Sequence, residues 1–160
     1  MPFDAPFVLG PFTIDTAGRL RPTEPGRLPG FALCWRGCAV RVELHPAEAD
    51  AAVMSLHATA GRVPSTAAAG SFGRAAVFAA LAELPGLLPD GWRLRLRPDH
   101  RLELAAEAGL ALPATVSELL SAVTLFLLAA APYLDLLGDA GVEAAGVETG
   151  GREAGGSVNT

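Results

Sequence analysis

A chain of 160 residues is long enough for one domain with a sizeable core. Its 51 % hydrophobic and 18 % charged content leaves it more apolar than a globular domain of roughly 25 % charge, which suggests a surface buried against another chain. The net charge of -5 divides into about -2 over residues 1–137 (eleven Arg, thirteen acids) and about -3 beyond (one Arg, four acids), which argues against a nucleic-acid binder.

All twelve basic residues are Arg. Beside the abundant Ala, Gly and Pro, this reads as GC-rich coding bias. Met1-Pro2-Phe3-Asp4 lacks the basic and apolar regions of a signal peptide, and Cys34 and Cys38 give no disulfide framework. A cytoplasmic, reduced protein is expected.

Residues 1–11, Pro-rich with Phe3, Phe7, Val8 and Leu9, are expected to form an extended arm. Phe12 to Ile14 reads as a short strand, Asp15-Thr16-Ala17-Gly18 as a turn, Arg19-Leu20-Arg21 as the return and Thr23 to Gly30 as a loop. Phe31 to Leu44 reads as a hairpin. A two-residue Arg36-Gly37 loop sets Trp35 opposite Cys38, Leu33 opposite Val40 and Phe31 opposite Val42, one continuous apolar face. Cys34 then faces Ala39 on the other side, so the cysteines point apart.

Val53 to Arg62 alternates as a strand, with Met54, Leu56, Ala58 and Ala60 on one face and Val53, Ser55, His57 and Thr59 on the other. After Pro64-Ser65-Thr66 and Gly70-Ser71-Phe72-Gly73, a helix is expected to start between Thr66 and Arg74. It runs through Val77, Phe78 and Leu81 to Leu84, where Pro85-Gly86 ends it. Trp92 to Leu104 forms the second clear hairpin. A two-residue loop would set Leu96 against Arg101, whereas Pro98-Asp99-His100 as a three-residue loop pairs Leu96 with Leu102, Leu94 with Leu104 and Arg95 with Glu103. It also sets Arg97 against Arg101, a like-charge pair that needs solvent or a bridging anion.

Thr115-Val116-Ser117-Glu118 is a capping box opening the last helix. Its core stripe is Val116, Leu119, Leu120, Val123, Phe126, Leu127, Ala130, Tyr133 and Leu137, while Leu125, Leu128 and Leu136 form a second stripe. A helix apolar on both sides is buried on both sides, so these three leucines are the candidate partner-binding residues. The uncharged run Leu119 to Leu134 falls short of the about 20 residues of a membrane span and contains Pro132, expected to kink the helix. Residues 138–160 read as a flexible acidic Gly/Ala-rich tail.

Chemistry-bearing motifs are sparse. His45, His57 and His100 show no metal-ligand spacing, no cofactor or metal is implied, and Asp99-His100 reads as a turn rather than an acid–base pair. Cys34, Cys38 and His45 do not assemble a thiol site, because the cysteines lie on opposite faces. Gly61-Arg62-Val63-Pro64-Ser65-Thr66 leads from a strand to a helix N-terminus and is a candidate anion loop. Arg93, Arg95, Arg97 and Arg101 share one hairpin face, and Arg41 joins them if the hairpins are neighbours. With Arg62 they are the candidate anion-binding residues, although a solvated face partly neutralised by Glu43 and Glu103 explains the row as well.

These elements predict an α+β fold: an antiparallel sheet of about five or six strands covered by two helices, in the order β-β-β-β-α-β-β-α, over residues 1–137. With Trp92–Leu104 and Leu119–Leu137 in those places, residues 12–137 resemble the type III secretion chaperone-like fold, including the YbjN-like proteins. The resemblance implies a non-enzymatic homodimer that binds another polypeptide, and it transfers no site residues. The expectation is thus a protein-binding or chaperone-like module. The alternative is a small-molecule or anion binder, even an enzyme, with a pocket near Arg62. A closed polar pocket holding Arg62, His57 or Arg95 would favour the alternative, and an exposed apolar groove would favour polypeptide binding.

Overall fold

A computed structural model of the chain describes residues 3–24, 29–47 and 50–144, with the backbone alone over 66–72. The first elements are β1 (Phe7–Leu9), β2 (Phe12–Ile14) and β3 (Leu20–Pro22), an antiparallel three-stranded sheet. Part of the expected arm is therefore paired: Phe7 lies opposite Ile14 and Leu9 opposite Phe12. The Asp15 turn forms as expected. Its carboxylate accepts the Arg19 and Ala17 N–H groups at 2.9 Å each, which holds it below the usual carboxylate range.

A five-stranded antiparallel sheet follows, built from β4 (Gly30–Trp35), β5 (Cys38–Pro46), β6 (Ala51–Arg62), β7 (Arg93–Leu96) and β8 (Arg101–Ala111) in the order β4-β5-β6-β8-β7. Helix α1 (Thr66–Glu83) and a 3₁₀ turn (Leu84–Gly86) connect β6 to β7, and α2 (Val116–Asp139) is the last helix among the described residues. The fold is α+β. Both hairpin registers are those that alternation requires, with Trp35 opposite Cys38, Cys34 opposite Ala39, Leu96 opposite Leu102 and Arg95 opposite Glu103. In the three-residue loop the His100 N–H donates to the Arg97 carbonyl at 2.9 Å, with His100 at φ 65.

One sheet face carries the core. Val40, Val42, Leu44, Met54, Leu56, Ala58, Leu104 and Ala106 pack with Leu119, Val123, Phe126 and Ala130 of α2. A second cluster joins Val63, Val77, Leu84, Leu102, Leu137 and Val142, which brings α1 to the same side. Among the described residues no helix covers the opposite face.

Three expectations are corrected. Leu120 is 51 % exposed and not part of the core stripe, which narrows to Leu119, Val123, Phe126, Ala130 and Leu137 with half-buried Val116, Leu127 and Tyr133 beside it. The start of the expected tail is structured: Gly138 and Asp139 complete α2, Val142 is buried, and Glu143 exchanges two backbone hydrogen bonds with Arg62 (2.8 and 3.0 Å). The remainder of that tail, 145–160, lies outside the described residues. Third, the strand begun at Arg101 runs on to Ala111, pairing along β6 as far as Ala51.

The capping box is complete. Thr115 Oγ1 accepts the Glu118 N–H at 3.3 Å, and Glu118 Oε2 accepts the Thr115 N–H at 2.7 Å and its hydroxyl at 2.9 Å. These hydrogen bonds from Thr115 hold the Glu118 carboxyl below its ordinary value. Thr115→Ala is expected to cost about 1 kcal/mol in urea unfolding. A carboxylate with a lowered folded pKa stabilises above its unfolded pKa, and the benefit is lost as pH falls through the folded one. The gap between wild type and Thr115→Ala should therefore narrow on acidification through the carboxylate range.

Candidate functional site

Two surfaces are left over when the core is assembled. The first is the outer side of α2. Leu125 is 67 % exposed, Leu128 63 % and Leu136 48 %, and no charged residue occurs between Glu118 and Asp135. The sheet needs only one side of this helix, so the second stripe faces outward. Asp135 at its margin is tied to Arg36 at 2.7 Å. Leu136 and exposed Leu87 line a crevice with Ala80, Glu83 and Leu84. At 24 residues, with a mean hydropathy of 1.8 over its most apolar window, α2 is long and apolar enough to cross a membrane. The helix is longer than the uncharged run within it, so the run's length does not exclude a span. In this fold its other stripe is packed on the sheet.

The second surface is the uncovered sheet face. Register sets Arg41, His57, Ala105 and Arg93 in one cross-strand row, and Glu103 and Arg95 in the next with Thr59. Arg62, Arg101 and Arg97 follow, Arg97 donating its N–H to the Arg101 carbonyl at 2.8 Å. Strict alternation from Met54 would turn Arg62 toward the core. A bulge at Ala60, where Thr59 opposes Glu103 and Gly61 opposes Leu102, restores it to the Arg101 side. All six arginines named from the sequence therefore share this face.

Their counter-ions are fewer than alternation suggests. Glu103, 9 % exposed, stands opposite Arg95, but its Oε1 lies 3.1 Å from His57 Nδ1. Glu43 faces His45 at 3.8 Å, and Arg101 binds Asp99 at 3.4 Å. Among the described residues Arg41, Arg62, Arg93, Arg95 and Arg97 enter no ion pair. Sequence reasoning missed the His57–Glu103 contact because its partners meet only through the β6–β8 register.

This face presents cationic side chains around a shallow feature. Ser55, His57, Gly91, Arg93, Arg95 and Glu107 surround an open depression of ≈ 190 Å³ and not a closed pocket. Two backbone donors of the candidate Arg62 loop are spent internally, Arg62 N–H on the Glu143 carbonyl and Val63 N–H on that of His100. Cys34 and Cys38 lie on opposite faces, and burial raises the Cys38 pKa, the wrong direction for a nucleophile. No group of three His, Cys, Asp or Glu able to hold a metal occurs among the described residues. Compared with protein-family models, with curated proteins and with solved structures, the chain matches none.

Proposed function

We propose that the protein is a cytoplasmic, non-enzymatic polypeptide-binding module of chaperone-like character, working as a homodimer through the outer face of α2. The observation that carries this reading is the exposure of Leu125, Leu128 and Leu136 on a helix whose other side is already in the core. Burying each contributes about 1.5–3 kcal/mol before the costs of association. The apolar surface outside a single buried stripe and the open, shallow polar depression both favour polypeptide over small-molecule binding, and the chaperone-like resemblance supports the same role.

The test is light scattering coupled to size exclusion at micromolar concentration. Wild type is expected at twice the chain mass, and Leu125→Asp/Leu128→Asp at the chain mass with an unchanged circular dichroism spectrum. A monomeric wild type sinks the dimer reading.

A further inference from the structure

The outer edge of β7 combines three features that fit one ligand. The first is free backbone. The Arg97 N–H is bonded to the Arg101 carbonyl, and bonded and non-bonded pairs alternate along an antiparallel ladder. Arg95–Glu103 and Arg93–Ala105 are therefore bonded pairs, and Leu94 and Leu96 point their N–H and C=O groups away from β8. Among the described residues no strand lies on that edge.

The second feature is a groove on the core side of the edge, ≈ 320 Å³ in volume, lined by Phe78, Leu81, Ala82, Pro85, Leu94 and Leu96. The third, on the opposite side, is the row Arg93, Arg95 and Arg97. These guanidinium groups recur every second residue and enter no ion pair among the described residues.

An extended chain added to a sheet edge gives alternate side chains to the two faces, with a repeat of roughly 7 Å that matches the strand it joins. We propose that the β7 edge binds an extended segment of another protein in which acidic residues alternate with apolar ones. The apolar side chains enter the Phe78–Leu96 groove. The carboxylates take the guanidinium row, whose fork geometry suits them. At the other edge, β4 sets only Ala32 and Cys34 on the open face, so it offers no charge to read. The proposal rests on the polypeptide-binding reading but not on dimerisation through α2.

Arginines on an edge also deter sheet-to-sheet aggregation, a role that predicts no preference for acidic peptides. Fluorescence anisotropy on the full chain separates the two, using a labelled peptide alternating Glu with Leu and Phe, a scrambled version and a Lys-for-Glu version. The alternating acidic peptide is expected to bind about tenfold more tightly than either control. Arg93→Glu/Arg95→Glu should reverse the acidic-over-Lys preference. N-methylation of alternate peptide residues, which leaves the protein untouched, should abolish binding. Leu96→Pro removes one outward N–H without touching the β8 ladder and should weaken binding several-fold. Equal binding of the Glu and Lys peptides, or indifference to N-methylation, overturns the proposal. The Leu125→Asp/Leu128→Asp protein should bind the acidic peptide like wild type, so loss of the dimer and loss of the edge site are read apart.

Discussion

Phe126→Ala is expected to lower the free energy of unfolding by about 3–5 kcal/mol and to shift Trp92 emission to the red. Phe126 is buried on the inner stripe of α2 and stacks on Trp92, ring centroids 5.0 Å apart at 29°. Trp92 also meets Tyr133 at 6.1 Å, and the Tyr133 hydroxyl donates to the Leu87 carbonyl at 3.1 Å. Removing the central ring therefore loosens both the helix and the segment leading into β7. The void has little to fill it, because the neighbouring inner positions are Val123 and Ala130, already packed on the sheet. If dimerisation uses the outer stripe of the same helix, the stability of the variant should also rise with protein concentration. A loss below about 1 kcal/mol would mean that α2 is not seated on the sheet as described.

Gly61→Val should be the second most damaging change, about 2–3 kcal/mol. A Cβ at Gly61 meets the Glu143 carbonyl oxygen and Val142 Cγ1, both at 2.5 Å. One is backbone and the other a buried side chain, so neither yields without moving the segment after α2. Displacing it also breaks the two hydrogen bonds between Arg62 and Glu143 and exposes Val142. Hydrogen exchange gives the signature: the amides of Arg62 and Glu143 lose protection before those of central β6. Unchanged protection at Glu143 would refute the contact.

The hairpins were legible because alternation permits only one register for each: a slip of one residue turns Leu94, or Leu33 and Trp35, away from the core they pack against. The start of α2 was legible because Thr115 and Glu118 form a local, four-residue device. What escaped depends on contacts distant in sequence. Ala105 to Ala111 has the composition of a helix or loop, and its pairing with β6 overrides that preference. Phe7 to Leu9 is too short for alternation to register. The arginine row itself was visible. Arg62's membership through the Ala60 bulge, and the diversion of Glu103 from Arg95 to His57 across 46 residues, were not.

The central pairing of the large sheet, β6 with β8, brings together residues as far apart as Ala51 and Ala111, with α1 and β7 lying between them in the chain. Two local units, the β4-β5-β6 meander and the β7-β8 hairpin, form from neighbouring sequence, and their junction carries the largest loop-closure entropy. Folding of such a sheet belongs among the slower, non-local topologies, on the order of milliseconds to seconds. During synthesis the twelve residues of β6 have emerged well before Ala111 does. Until then β6 offers a bare pairing edge with Met54, Leu56 and Ala58 along one side. The chain thus has, at birth, a strand whose proper mate is still being made.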